Sequence, residues 1–246
     1  MKENRTLQRY EFKYFLTSNI AQEIKHHASK FMLLDKYASL RPNKNYLVRS
    51  VYFEDPFNSN FDEKINGYRI RKKFRLRFYD KKLERGPIFL ETKGRNLERT
   101  YKTRAKLNLA DLEIIKQQKF VYNLISKYPK SISVQDFVFE FYKKNLKPKI
   151  LIDYERQPYV NKHGLYFRLT FDQNLTCTKL NNELTKNISN NSIECKSGLT
   201  ILEVKFERSI PLWFHRIIQS YNLRRQSISK FVLGMCYAKL GTETSD

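Results

Sequence analysis

The chain has 246 residues but only 7 glycines, and neither GxxxxGK[ST] nor GxGxxG occurs in it. A glycine loop whose backbone amides cradle phosphate is therefore excluded. Cysteine is scarce too: Cys177, Cys195 and Cys236 form an odd set with no CxxC pair, which fits a reducing compartment. The four histidines, His26, His27, His163 and His215, show no metal-ligand spacing such as HExxH, and nothing singles out a Cys–His nucleophile pair. No run approaches the ~18 apolar residues of a membrane span. The N-terminal MKENRTLQRYEFK lacks the apolar core of a secretory signal. There is no repeat of fixed period and no long Pro/Gly/Ser linker. These absences predict a cytoplasmic protein, at most peripheral to a membrane.

What is abundant is positive charge and aromatic side chains. Lys and Arg number 47 against 25 Asp and Glu, a formal net charge of +22. That balance argues for a polyanionic partner: nucleic acid, an acidic membrane surface or a phosphate compound. Hydrophobic residues make up 41%, with 16 Tyr and 18 Phe, so the chain is no disordered basic tail and can bury a sizeable core.

The charge is patterned. In RKKFRLRFYD (71–80) a strand would carry Arg71, Lys73, Arg75 and Arg77 on one face and Phe74, Leu76 and Phe78 on the other. Seven further segments read as strands: 7–16, 46–54, 87–95, 98–107, 148–160, 165–172 and 200–208. Arg9, Glu11 and Lys13 oppose Tyr10, Phe12 and Tyr14. Glu91, Lys93 and Arg95 oppose Ile88 and Leu90. Thr100, Lys102, Arg104 and Lys106 share a face. Tyr166, Arg168 and Asp172 oppose Phe167, Leu169 and Phe171, and Glu203, Lys205 and Glu207 oppose Leu202, Val204 and Phe206. Helices are expected over about 17–32, 108–127 and 133–145, after Pro211, and from about Ser227. The Asn-rich stretch 179–197 reads as a loop.

Eight strands at mostly hairpin spacing predict an α+β fold, an antiparallel β-barrel with helices packed outside. The apolar faces would lie under the helices and the charged faces would point inward. A lumen of Arg and Lys is costly when empty and is stabilised by a chain of phosphates through charge-assisted hydrogen bonds. The alternative is an open sheet with one wet basic face, as in RNA-binding folds.

An ordered series of motifs resembles the VTC domain of the triphosphate tunnel metalloenzyme superfamily. The series is YEFK (Glu11, Lys13), SVYFED (50–55), RLRFY (Arg75, Arg77), FLETK (Glu91, Lys93), YKTR (Lys102, Arg104), YER (Arg156), FRLTFD (Arg168), LEVKF (Glu203, Lys205) and SKF (Ser229, Lys230). The resemblance implies one domain over 1–246, an eight-stranded tunnel, and polyphosphate polymerase activity. In that activity the terminal phosphate of ATP is added to inorganic polyphosphate with Mn2+ or Mg2+. It further implies that Lys13, Arg75, Arg77, Lys93, Lys102, Arg156, Arg168 and Lys230 hold phosphates, with Arg104, Tyr154, Lys205 and Ser229 in weaker roles. Glu203 is the implied main metal ligand and Glu11 the next. Phe12 stands where relatives carry arginine, on the face away from the lumen. Nucleic acid is not the implied partner, and a membrane-protein partner stays open, since the eukaryotic complex has membrane helices that this sequence does not show. A triphosphatase on the same tunnel, or a non-catalytic polyphosphate- or RNA-binding module, is the competing reading.

Overall fold

The strands fall largely where alternation predicts them. The computed structural model describes residues 10–80, 86–97, 99–162, 164, 166–181, 184 and 192–241. Along the chain these form β1 (Tyr10–Thr17), α1 (Ser18–Phe31), β2 (Met32–Leu34), α2 (Lys36–Ser39), β3 (Tyr46–Glu54), α3 (Ser59–Ile65), β4 (Ile70–Phe78), β5 (Ile88–Asn96), β6 (Arg99–Leu107), α4 (Leu109–Gln117), α5 (Asn123–Lys127), α6 (Ile132–Lys144), β7 (Lys147–Asn161), β8 (Phe167–Lys179), β9 (Ile193–Glu194), β10 (Leu199–Phe206), α7 (Leu212–Ser220) and α8 (Lys230–Tyr237). Residues 7–9, 98 and 165 of the expected strands, and 182, 183 and 185–191 of the expected loop, lie outside the described residues.

The fold is α+β, as expected, with a ten-stranded sheet in the order β1-β10-β8-β7-β3-β4-β5-β6, β2 adding to β7 and β9 to β8. The expected eight-stranded closed barrel is corrected on two counts. The short strands β2 and β9 span three and two residues, too few to show alternation. The hydrogen-bonded path also ends at β1 and β6, and among the described residues no ladder joins them. Each end has a physical reason to stop. The outer edge of β1 is occupied by an extended segment: Gln226 N donates to Lys13 O at 2.9 Å, and Arg225 lies over the Phe12 ring at 4.2 Å. β6 displays exposed Arg99, Lys102, Arg104 and Lys106, and lysine-rich edges resist strand addition.

The chain divides into two compact units. The first comprises Met1–Tyr46, Tyr154–Leu175 and Lys196–Ile228; the second comprises Leu47–Asp153, Thr176–Cys195 and Ser229–Asp246. In the first, α1 and α7 cover the apolar faces of β1, β8 and β10, burying Leu16, Ile24, Leu169, Phe171, Leu202, Val204 and Phe214. In the second, α4, α5 and α6 cover β3 to β6 through Phe53, Phe74, Leu76, Leu90, Leu124 and Phe137. Burying such side chains supplies roughly 1.5–3 kcal/mol each, so the apolar faces fix which way the charged ones point.

The helix termini follow local chemistry. Asn108 and Asp111 form a reciprocal capping box at α4. The expected helix over 108–127 breaks in two, with left-handed backbone at Gln118 and Phe120 (φ 56° each); the break turns Val121 and Leu124 into the core. The last helix starts at Lys230 rather than near Ser227 because the Ser229 hydroxyl accepts from Val232 N at 3.4 Å as its N-cap, and the preceding residues are engaged at β1.

Candidate functional site

In the second unit the registers of β4, β5 and β6 stack the charged side chains into cross-strand rows. Arg75 pairs with Glu91, and Glu91 with Arg104; one row over, Lys73 pairs with Lys93, and Lys93 with Lys102. Glu91 is fully buried and gathers three cations. Arg75 reaches its Oε2 through Nε at 2.8 Å and Nη2 at 2.6 Å, Arg77 approaches the same oxygen at 3.7 Å, and Lys102 Nζ meets Oε1 at 2.5 Å. Burial pushes the Glu91 carboxyl up, but Arg75, Arg77 and Lys102 outweigh it and hold it well below the usual carboxylate range. Burial lowers the Lys102 ammonium; Glu91 opposes this, while Arg75 and Arg77 add to it, and the net shift is downward.

Tyr52 on β3 accepts from Arg75 Nη1 at 2.9 Å. Its burial favours the neutral phenol, but Arg75, Lys73 and Arg77 win and bring the hydroxyl down to about 8. Arg77 Nε donates to Ser50 Oγ at 3.4 Å. Lys93 is half-buried in the row beside, and Arg104 lies to the side with its guanidinium 4.9 Å from the Phe89 ring centroid. Ser229 and Lys230 sit at the start of α8, where the serine acts as helix cap. At the end of β3, Glu54 is buried with Oε2 accepting from Asn60 N and Asn60 Nδ2, both at 3.1 Å; burial pushes its carboxyl up to about 8.

The first unit gathers a different mixture. Lys13 and Glu203 are register partners on β1 and β10, and so are Glu11 and Lys205. Lys13 Nζ contacts Glu11 Oε1 at 2.9 Å and donates to Ile228 O at 3.0 Å. The Lys205 ammonium touches both carboxylates, Glu11 at 3.5 Å and Glu203 more closely. Burial would lower that ammonium, but Glu203 and Glu11 raise it above its ordinary value. Arg156 forms a two-pronged pair with Asp172 at 2.7 Å for each contact, and stands 4.0 Å from Glu203 and 5.2 Å from the Tyr154 ring centroid. Burial disfavours the guanidinium, yet Asp172 and the other anionic neighbours hold it well above its ordinary value. Arg168 turns to Asp35 at 3.4 Å.

Of the expected residues, Arg75, Arg77 and Lys102 converge on Glu91, while Glu11, Lys13, Arg156, Glu203 and Lys205, with Tyr154 against Arg156, form the other cluster. Three residues not singled out as site residues organise them: Glu91, Asp172 and Tyr52. Parity along β5 and β8 places Glu91 and Asp172 on the charged faces. Tyr52 had no such signal, because nearly all of β3 is buried on both faces.

The donor set can be tested against a divalent ion. Hard cations take carboxylate oxygens and share the remaining positions with water and substrate phosphates. Glu11 and Glu203 already straddle one cation, the Lys205 ammonium, so two hard donors converge there. Among the described residues no group of three or more His, Cys, Asp or Glu is arranged to hold a metal without outside ligands. The pair therefore fits a metal shared with phosphate and water.

By architecture each unit is α+β, its strands having one face under helices and a charged face opposite. The sequence pattern of the VTC domain matches residues 8–239, and the chain belongs to that family. No curated protein sequence matches it significantly. A candidate adenylyl cyclase from Hippeastrum, described as having a dominant triphosphatase activity, shares the fold at 14% identity and TM-score 0.52, covering 92% of this chain and 96% of its own. A candidate adenylate cyclase from Bacillus halodurans aligns at 11% identity and TM-score 0.47, covering 89% and 92%. The PH1819 protein of Pyrococcus horikoshii OT3 aligns at 10% and 0.47, covering 94% and 99%. No helix among the described residues is long and apolar enough to cross a membrane.

Proposed function

We propose that this protein transfers the terminal phosphoryl group of ATP onto inorganic polyphosphate. The observation that carries the reading is the Glu91 cluster: three converging cations on a buried, ionised carboxylate, extended by further lysines and arginines along the same face. Glu91 orients Arg75 and Lys102 without cancelling their charge, so donors stand ready for phosphate oxygens before substrate arrives. In the transfer, the bond from the terminal phosphorus to the ADP-bridging oxygen breaks and a bond to the terminal oxygen of the acceptor chain forms. That acceptor oxygen is already anionic, so no general base is needed, in keeping with the lack of a histidine at either cluster. Positioning and charge neutralisation supply the acceleration.

Glu203 and Glu11 would hold Mn2+ or Mg2+, which would supply neutralisation of phosphate charge. Within the first unit, Lys13, Arg156 and Arg168 are the cations that would hold phosphate. Glu203→Gln keeps the side chain's size but loses its charge. Metal-dependent turnover should fall by several kcal/mol of transition-state stabilisation, with anion affinity in chelator largely retained. Turnover at wild-type manganese levels would instead make Glu203 a structural partner of Lys205.

A second reading is a triphosphatase with water as acceptor. It is favoured by the fold shared with the Hippeastrum protein and its described triphosphatase activity. Incubation with ATP and manganese separates the two: ADP with a growing phosphate chain supports the polymerase, and free phosphate without chains supports the hydrolase. Binding without metal-dependent turnover would leave a polyphosphate-binding module.

A further inference from the structure

The three cysteines are far apart in the sequence, yet the fold of the second unit brings two of them together. Cys177 lies near the end of β8 opposite Ile193 of β9, and Thr176 lies opposite Glu194. Cys195 is the next residue, and the alternation of the strand turns it to the side of Cys177. In a regular ladder such diagonal neighbours stand about 7–8 Å apart, at the limit of what a disulfide spans. β9 stops at Glu194, so Cys195 is released from that spacing, and Lys196 then turns the chain with left-handed backbone (φ 57°). The Cys177 and Cys195 thiols come within hydrogen-bond reach of each other. Cys236 is exposed on α8.

Both paired side chains are buried, Cys177 at 1% exposure and Cys195 at 2%. Burial in apolar surroundings ordinarily leaves a cysteine inert. Two features change that here. The hydrogen bond from Cys195 holds the Cys177 thiol below its ordinary value although burial opposes it, and the same bond, with burial, raises Cys195. Cys195 Sγ also stands 3.8 Å from Ile193 O, a weak rival for its one proton. The cover is also thin. β9 is two residues long and both are exposed, so its ladder to β8 has few bonds to break when it opens locally.

We propose that Cys177 and Cys195 form a reversible dithiol–disulfide site, oxidised by hydrogen peroxide, whose bridge fastens the end of β9 to β8. The Cys177 sulfur attacks one peroxide oxygen, the O–O bond breaks, and the departing hydroxide takes the thiol proton and leaves as water. Cys177 is then a sulfenic acid. The Cys195 sulfur attacks it, the S–O bond breaks, and the second hydroxide leaves as water with the Cys195 proton. Two thiols lose two electrons and two protons in all, and the peroxide is reduced to two waters. An external dithiol reverses the bridge by exchange. A pair that rests as thiols accords with the reducing compartment expected from the cysteine pattern. The site is independent of the phosphoryl-transfer reading and stands or falls without it.

The test is mild oxidation of the folded chain with hydrogen peroxide, followed by blocking of remaining thiols, proteolysis and mass spectrometry, with the melting temperature read before and after. Cys236→Ser removes the exposed thiol and with it competing bridges between molecules. The oxidised protein should lose two hydrogens in mass, yield a Cys177–Cys195 linked peptide and melt several degrees higher, since the bridge closes a loop in the unfolded chain. Dithiothreitol should restore both mass and melting temperature. Cys195→Ser should give neither the linked peptide nor the shift, and should leave Cys177 as a sulfenic acid that dimedone labels. If that variant folds poorly, the bridge in the Cys236→Ser protein and its reversal decide the matter alone. A linked peptide that forms only in urea, oxidation of Cys177 to sulfinic acid without a bridge, or a bridge that lowers the melting temperature would each show that the fold does not hold the two thiols in bridging geometry, and would overturn the proposal.

Discussion

The two charged faces follow one alternating pattern and reach opposite balances. In the first unit Glu11, Asp172 and Glu203 interleave with Lys13, Arg156 and Lys205, and carboxylate is set against cation throughout the cluster. In the second, Glu91 stands alone among the described residues of its face on β4 to β6, with Arg75, Arg77 and Lys102 around it. A face whose charges satisfy each other can exchange one cation for another without collapsing. A face with one carboxylate among many cations is relaxed by an anion. The same strand chemistry thus yields a candidate metal side and a candidate phosphate side, according to where carboxylates fall in the alternation.

Removing the lone carboxylate should break the second face most severely. Glu91→Gln leaves Arg75, Arg77 and Lys102 facing one another at a fully buried position, and breaking such a cluster costs about 3–5 kcal/mol. The denaturation midpoint should drop accordingly and recover in part with tripolyphosphate. In the first unit Glu203→Gln should cost much less, because Lys205 keeps Glu11 and Arg156 keeps Asp172. Equal losses at the two positions would dissolve the contrast.

Arg75→Ala sharpens it from the ligand's side. Tripolyphosphate affinity, read by calorimetry in chelator, should fall by about a hundredfold, the loss of a charge-assisted fork of roughly 3 kcal/mol. An affinity within about twofold of wild type would show that the face is merely solvated. Because Arg75 also forks onto buried Glu91, the variant should be less stable than wild type, not more.

Stability against pH gives a smaller effect, confined to the second unit. Tyr52 titrates at about 8 when folded and near its ordinary 10 when unfolded, so its contribution grows as pH rises from 8 to 10 and is lost as pH falls through 8. Glu54 is the reverse: raised from 4.5 to about 8, it contributes stability at low pH that is lost as pH rises across that interval. Each shift corresponds to a few kcal/mol at most, that of Glu54 being the larger, giving a stability minimum near the point where both titrate. Tyr52→Phe should erase the alkaline recovery and Glu54→Gln the preceding decline; a flat wild-type profile would sink both assignments. Smallest is the half-exposed Lys144–Glu63 pair at 3.3 Å, where Lys144→Met should change stability by less than about 1 kcal/mol, as read from the denaturation midpoint.

Much of this was legible in the sequence because alternation and burial are local. Phe74, Leu76 and Leu90 had to face a core, which turned Arg75, Arg77 and Glu91 to the other side. The registers were not legible. That Arg75 lies opposite Glu91, or Arg71 opposite Arg95, depends on hairpin geometry that one strand does not encode. Nor was sheet closure legible, since eight strands of similar pattern say nothing about what occupies an edge. β1 is met by the stretch before α8, a contact made by a backbone amide, which carries no residue signature. Arg168 illustrates the same limit: its parity was readable, its partner Asp35 was not, because Asp35 enters as the cap of the four-residue helix α2.

The pairing of β1 with β10 also sets a timetable. Tyr10 meets Phe206, and Lys13 is gripped by Ile228 and Gln226, so β1 leaves the ribosome well before the strand and segment it pairs with have been made. At ordinary elongation speeds that delay is on the order of 10–40 seconds. Throughout it, a strand with Tyr14 and Leu16 on its apolar side has only α1 for cover, while β4, β5 and β6, adjacent hairpins, can already pair. Local contacts form early and distant ones late. The hairpins of the cationic face can thus pair as a nascent structure before Glu11, Lys13 and Glu203 have met, and the carboxylate cluster assembles later.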